Sequence, residues 1–374
     1  MPALKRLAAL FALLLVAACT TRDMPGALVP VEVAAPDAKT MTLMVATSRG
    51  ISPETGAFDS SRAKAVNYQH LVVSVPPGHK AGEIEWPDSL PGKAEKNFVT
   101  LGNSILDETA FKKALDRAVP ANGNVLVFVH GYNTTHEEGV FRLAQIAHDA
   151  AMPALPLLFS WPSRGAVKDY LTDRESIMVA RLKLLHVLTL LARHPRVKSF
   201  DVLAHSMGTM LTMETLQMAK LSGDSEFRGK MGALILAAPD IDVDVFLTQF
   251  EVVGRRKGPT AILISRDDRA LQLSRRLAGD VVRVGAASPR AQASIEAIQK
   301  YGFTVVDLTG ISSSDNANHT KFAASPLVVQ KLSIRMSDNH QLQAGLPGVG
   351  AFVIDTAGRV LEAPATIIRE ATGR

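Results

Sequence analysis

From about residue 124 onward, mainly apolar runs of strand length alternate with longer stretches of helical period. The runs at 125–129, 155–160, 200–204, 233–238, 261–265 and 304–308 read as strands. Because polar positions do not alternate within them, they fit a parallel sheet covered on both faces. Helices are predicted over 136–150, 173–192 and 207–221, and Ile177, Leu184, Leu188 and Leu191 keep one face of the second apolar. This alternation predicts an α/β fold with a mostly parallel, doubly wound sheet and helices on both faces. Ligands bind such folds at the carboxyl ends of the strands. Upstream, apolar runs at 41–46 and 70–75, the latter followed by Pro76-Pro77-Gly78, predict an antiparallel edge of the same sheet.

The N-terminus breaks this pattern. Lys5-Arg6 precede the apolar run 7–16 and the small residues Ala17-Ala18, the three-part layout of an export signal. The run is too short for the ~20 residues a membrane-spanning helix needs. Leu15-Val16-Ala17-Ala18-Cys19 resembles the lipobox of bacterial lipoproteins. That resemblance implies removal of residues 1–18, lipid attachment at Cys19 and anchoring to the cell envelope. Thr20 rather than aspartate after the cysteine implies the outer membrane, facing the periplasm. Residues 19–39, with Pro25, Pro30 and Pro36 and no periodicity, read as the lipidated cysteine and a flexible tether. A domain over 40–335 and an extension over 336–374, to which no role is assigned, complete the expected organisation.

Composition narrows the classes. The chain of 374 residues is 47% hydrophobic and 21% charged, too apolar for a disordered chain. A formal charge of +5 and 5% aromatics do not support a nucleic-acid partner. Basic runs such as Arg255-Arg256-Lys257 read as solvated faces. Cys19 is the single cysteine, which excludes a disulfide framework and a paired-cysteine zinc site. His136-Glu137-Glu138-Gly139 lacks a second histidine four residues after the first, and no phosphate-cradling glycine loop occurs. Neither cofactor nor metal is expected, and oligomeric state is not legible.

The strongest chemical motif is Ala204-His205-Ser206-Met207-Gly208, directly after one predicted strand and before a predicted helix. This is a nucleophile elbow with alanine at the first glycine position: small flanking residues allow a sharp turn that lifts Ser206 Oγ clear of the sheet. His130-Gly131-Tyr132-Asn133 closes the strand at 125–129. In serine hydrolases of this layout that loop supplies one backbone donor to an oxyanion, so the amides of Tyr132 and Met207 are the candidate pair. His130 reads as a brace for the loop rather than a base.

These motifs occur in order with Phe159-Ser160-Trp161-Pro162-Ser163, Ala238-Pro239-Asp240-Ile241-Asp242 and Ser265-Arg266-Asp267-Asp268-Arg269-Ala270-Leu271. Together they resemble a family of bacterial α/β-hydrolases described as esterase/lipase-like, over roughly residues 41–330. The resemblance implies the α/β-hydrolase fold and a Ser–Asp–His triad in that chain order.

Beyond Ser206 the remaining histidines are His319 and His340. His319, in a polar loop after the last predicted strand and before a helix-like segment from Ser325, is the expected base. His340 reads as a surface residue. Asn318-His319 stands where the family has Gly-His. For the acid, register with the family favours Asp268; Asp240, whose alternative role is a helix N-cap, and Asp267, a solvated loop charge, are the other candidates. Trp161 and 162–170 read either as the pocket rim or, for Trp161, as core. No long insertion separates 233–238 from 261–265, so an open cleft without a large helical lid is expected. The resulting expectation is a cofactor-free serine hydrolase acting on a small-molecule or lipid ester through an acyl-enzyme at Ser206. The alternatives are an acyltransferase with the same triad and a non-catalytic, lipid-anchored binding protein.

Overall fold

The computed structural model describes residues 24–224, 226–311, 315 and 317–324, together with strands at 352–354 and 360–362. The export segment, Cys19, the start of the tether, the segment from Ser325 and His340 lie outside the described residues.

The predicted strands form, joined by a further one, β3, that the sequence pattern does not predict. The strands are β1 (Lys39–Ile51), β2 (Phe58–Val75), β3 (Val99–Leu106), β4 (Asn124–Val129), β5 (Leu155–Ser160), β6 (Ser199–His205), β7 (Met231–Ala237), β8 (Thr260–Ile264) and β9 (Phe303–Asp307). In the extension, β10 (Phe352–Ile354) and β11 (Val360–Glu362) follow. The sheet order is β11-β10-β9-β8-β7-β6-β4-β5-β1-β2-β3. From β1 through β5, β4, β6, β7, β8 and β9 to β10 every pairing is parallel. The antiparallel pairs are β1–β2, β2–β3 and β10–β11. The fold is therefore the α/β-hydrolase type, with an antiparallel edge where the two early runs predicted one.

Helices cover both faces. On one face α1 (Glu108–Ala118), α3 (Tyr170–Arg193), α4 (Met207–Leu221), α5 (Val243–Val253) and α7 (Gln292–Tyr301) pack against Val125, Val127, Val129 and their neighbours. On the other, α2 (His136–Asp149) and the short α8 (Lys321–Ala324) pack against Leu126, Phe128 and Val306. Successive side chains of β4 thus enter opposite cores, which is why its sequence is apolar from Val125 to Val129. Each Leu or Phe so buried contributes about 1.5–3 kcal/mol. Between β8 and β9, α6 (Arg269–Leu277) precedes α7.

Three expectations are corrected. Neither β3 nor α1 is among the predicted elements: α1 buries Phe111, Ala114 and Leu115 on one face, whereas β3 reads Val-Thr-Leu-Gly-Asn-Ser-Ile-Leu, has no clear period and is exposed from Asn103 to Ile105. The first half of β2, Phe58-Asp59-Ser60-Ser61-Arg62, is too polar to read as a strand but pairs with the end of β1. The tether reading fails from residue 24 on. Ala27 and Leu28 are buried in the core beneath α2, Ala35 packs with Ala94 and Val99, and the Val31 amide donates to the Thr100 carbonyl at 2.8 Å. The prolines forbid regular structure there, yet the apolar side chains between them find buried sites.

Candidate active site

β6 ends in the elbow. Ser206 sits at φ 52° and ψ −124°, in the left-handed half of backbone space that a non-glycine residue occupies only under constraint. The constraint is visible: the Ser206 amide donates to the Ala237 carbonyl at 2.9 Å, and its carbonyl receives the Thr209 hydroxyl at 2.5 Å. Met207 begins α4, whose N-terminus receives no side-chain cap, so its first amides and positive dipole end face the same space as the serine.

The loop after β4 lies directly against this turn, because β4 and β6 are neighbours in the sheet. A Cβ on Gly131 would come within 2.9 Å of Ser206 Cβ, and one on Gly208 within 2.3 Å of the His130 carbonyl oxygen. Those two glycines are what let the segments carrying Ser206 and Tyr132 approach. His130 is buried and braces the loop as expected. Its Nδ1–H donates to the Gly131 carbonyl at 2.8 Å, its Nε2 accepts the Trp161 amide at 3.1 Å, and burial pushes its pKa down to about 3. Trp161 stacks on that imidazole with centroids 5.1 Å apart, and its indole N–H donates to the His130 carbonyl at 2.8 Å. Trp161 is fully buried; the rim reading is corrected, since a large ring with one donor is accommodated beneath the loop.

Of the three candidate acids, Asp268 meets the histidine. Asp268 Oδ2 accepts from His319 Nδ1 at 2.6 Å, while Oδ1 caps α6 by accepting the Leu271 amide at 2.9 Å. The carboxylate is fully buried. Burial, the largest single influence, would lower the His319 pKa, but the charge and hydrogen bond of Asp268, together with the charges of Asp315 and Asp240, outweigh it and the net shift is upward. This contact leaves Nε2 unprotonated when the ring is neutral, the tautomer a general base requires. Asn318 adopts φ 58°, the left-handed conformation glycine would favour and asparagine tolerates, so the departure from Gly-His preserves the turn. Asp315 accepts the His319 amide at 3.0 Å. The His205 ring packs 4.6 Å from that of His319 and donates from Nε2 to its carbonyl at 3.1 Å. The residue before the nucleophile thus holds the loop carrying the histidine. Among the described residues no hydrogen bond joins Ser206 Oγ to the imidazole, a side of such relays that often tightens only around substrate.

The other two carboxylates have different work. Asp240 accepts from Tyr170 Oη at 3.0 Å and Ser274 Oγ at 2.5 Å, and faces Arg283 Nε at 3.3 Å. The N-cap role considered for it belongs to Asp242, which accepts from the Asp244 and Val245 amides. Asp267 is ion-paired with Lys321 at 2.6 Å and accepts from Ser265 Oγ, rather than being a free loop charge.

Sequence reasoning missed Arg49. At the end of β1 its buried guanidinium donates to Ser160 Oγ at 2.9 Å, the Ser163 carbonyl at 2.9 Å and the Thr134 carbonyl at 2.8 Å. Burial pulls its pKa down to about 10, so it remains cationic at neutral pH. Ser163 in turn donates to Asp173 at 2.6 Å, and burial raises that carboxyl to about 6. The only local signal was an arginine at the end of an apolar strand, which reads as a strand terminus. A separate apolar crevice between α5 and α7, bordered by Val243, Phe246, Ile264, Val284 and Phe303, contains none of Ser206, Asp268 and His319.

No curated protein matches the chain. Among solved structures, brefeldin A esterase, titled a bacterial homologue of human hormone sensitive lipase, is similar at 12% identity and TM-score 0.40, over 87% of this chain and 82% of its own. Est1E from Butyrivibrio proteoclasticus is similar at 14% identity and TM-score 0.37, over 59% and 92%. Carboxyl esterase 2 from Tuber melanosporum is similar at 9% identity and TM-score 0.38, over 85% and 94%. These likenesses are too distant to argue from. The family model described as "Alpha/beta hydrolase of unknown function (DUF900)" matches residues 107–335, a span that holds Ser206, Asp268 and His319. This chain belongs to that α/β-hydrolase family.

Proposed function

We propose that the protein is a serine hydrolase that cleaves a carboxylic ester through an acyl-enzyme at Ser206, held at the bacterial envelope by lipid on Cys19. The observation that carries the reading is the 2.6 Å contact between His319 Nδ1 and the buried Asp268, formed by a loop that packs against the residue preceding a strained serine. Elbow, histidine and acid follow the order this fold uses for acyl transfer.

In this reading His319 Nε2 takes the hydroxyl proton as Ser206 Oγ bonds to the ester carbonyl carbon. The resulting imidazolium is stabilised by Asp268, whose charge and hydrogen bond are the largest of the effects that lift the His319 pKa. The oxyanion is met by the amides of Tyr132 and Met207, each such donor contributing about 10²–10³ in rate. Breakdown of the tetrahedral intermediate passes the proton from Nε2 to the departing alkoxide, which leaves as alcohol. Water then repeats the sequence on the acyl-enzyme: Nε2 takes its proton, the carboxylic acid departs and Ser206 regains its hydrogen.

The test is fluorophosphonate labelling of the purified chain, followed by hydrolysis of short acyl esters. Labelling and turnover that disappear in Ser206→Ala, with thermal unfolding unchanged, are expected. A folded wild type that neither labels nor turns over would favour a binding protein on this fold. For the anchor, Cys19→Ser is expected to give a chain that takes up no labelled fatty acid; persistent labelling removes that part of the proposal.

A further inference from the structure

A second cluster of chemistry lies away from the serine, beneath the loop that follows β2. His79 Nε2 and His148 Nδ1 both point at one atom, Asp149 Oδ1, at 2.8 and 3.2 Å. These three ligand atoms lie within 4.8 Å of one another. We propose that His79, His148 and Asp149 form a zinc site.

The donor set fits the ion. Two imidazoles and a carboxylate suit a borderline cation and not calcium or magnesium, which prefer oxygen. Tetrahedral zinc ~2.0–2.2 Å from each ligand separates ligand atoms by about 3.3–3.5 Å. The His148–Asp149 spacing is already close to that, and the His79–Asp149 spacing needs to open by a few tenths of an ångström. His79 and Asp149 are buried, while His148 is partly exposed, which leaves solvent access for a water at the fourth position.

The surroundings match what a metal site requires of its supporting groups. A ligating imidazole ordinarily donates its other N–H to a carboxylate, and a ligating carboxylate has its second oxygen hydrogen-bonded. His79 Nδ1 lies 2.7 Å from Glu85 Oε2. Asp149 Oδ2 accepts from the Gly82 amide at 2.7 Å and from Gln145 Nε2 at 2.6 Å. With both imidazoles neutral, the charges of Glu85 and Asp149 balance one divalent ion. The competing occupant is a proton: without metal, His79 would bridge the two carboxylates as an imidazolium.

Zinc here would fasten the loop after β2 to the end of α2. It would also bear on the histidine loop, because Gln145 Nε2 donates to the Ala323 carbonyl at 3.0 Å as well as to Asp149. No local motif announces the site, since His79 and Asp149 are 70 residues apart in sequence.

The experiment is a zinc titration of the full chain, without a histidine tag and stripped of metal, against a chromophoric chelator at pH 7.5 and 6.0, with thermal unfolding as second readout. One equivalent of zinc, bound more weakly at the lower pH because ligands must lose protons, and an unfolding midpoint raised by zinc are expected. Glu85→Gln should weaken binding by about 10–100-fold, and His148→Ala by at least as much. His148→Ala should leave the metal-free midpoint little changed, since that side chain is partly exposed. A wild type that binds no zinc, or a His148→Ala protein that binds it as tightly, would overturn the site and leave a proton-bridged strap.

Discussion

Arg49 Nη2 donates to the Thr134 carbonyl at 2.8 Å, joining the end of β1 to the loop that follows β4 across 85 residues of sequence. The same guanidinium holds Ser160 and Ser163, so one buried cation sets the spacing between two loops beside the elbow. A lysine keeps the charge but cannot present three donors in a plane. Arg49→Lys is therefore expected to lower kcat on a short acyl ester by about 10–100-fold with little change in KM, because small displacements of positioning groups act on the transition state. Arg49→Ala, which leaves buried acceptors unpaired, should also lower the unfolding midpoint. Steady-state kinetics with thermal melts distinguish the two effects; unchanged kcat in a folded Arg49→Lys protein removes the positioning role.

Asp268 and Asp240 both lie near the histidine, and only one bonds to it. Asp268→Asn keeps the cap on α6, since asparagine also accepts from a backbone amide, but loses the charge that favours the imidazolium. The expected loss in kcat is about 10²–10⁴-fold, against less than about 10-fold for Asp240→Asn. The pH profile supplies the sign. His319 must be neutral to accept a proton, and its pKa is raised above the ordinary 6.5, so the rising limb of kcat/KM should lie above pH 6.5 in the wild type. In Asp268→Asn the largest of the effects opposing burial is lost, with only Asp315 and Asp240 left to act, and the limb should move to lower pH. A limb that stays in place would assign the acid elsewhere.

His130 is buried and held neutral, with its pKa pushed down to about 3 by burial and by the nearby Arg49 charge. His136 and His205 are lowered in the same direction. In the unfolded chain these rings take up a proton near pH 6.5, whereas the folded chain resists, so the unfolded state binds more protons below that value. Their contribution is complete above pH 6.5 and is lost as pH falls through their lowered folded values. His319, raised instead, contributes in the opposite sense, fully below pH 6.5 and less as pH rises through its folded value. Urea unfolding at pH 7.5, 6.0 and 5.0 should show stability declining below 6.5 by up to about 1.4 kcal/mol per pH unit for each low-pKa ring. A flat profile would contradict the buried, neutral assignment.

Gly208 has backbone on its open side: a Cβ would meet the His130 oxygen at 2.3 Å and the Val129 oxygen at 2.7 Å. Main chain at the end of a central strand cannot move aside as a flexible side chain can. Gly208→Ala should cost about 1–3 kcal/mol of stability and abolish fluorophosphonate labelling by displacing the elbow from the loop bearing Tyr132. Thermal melts and labelling read both, and a fully labelled, equally stable variant would show that the approach is not needed.

The parts legible beforehand share a physical character. Strand runs such as 125–129 and 233–238 announce themselves because burial on both faces demands apolar residues at every position. Ser206 does so because an elbow is local: strand, small residue, serine, small residue and helix lie within a few residues. β3 was silent because an exposed antiparallel edge has no such demand. The packing of Ala27 and Leu28 was hidden by prolines that correctly excluded helix and strand but say nothing about burial.

The sequence by itself determined the parallel sheet and the elbow, since each follows from local periodicity or from residues adjacent in the chain. Tertiary structure decided which carboxylate meets His319. Asp267 and Asp268 are neighbours with identical chemistry, yet one turns to Lys321 and the other, buried, to His319, 51 residues on. It also decided that Arg49 braces the loop after β4, that Trp161 lies under it and that His79 meets Asp149. Hydrogen bonds and ion pairs act over about 3 Å in space irrespective of distance along the chain. Only the packed fold specifies which polar groups are withdrawn from water and must find each other.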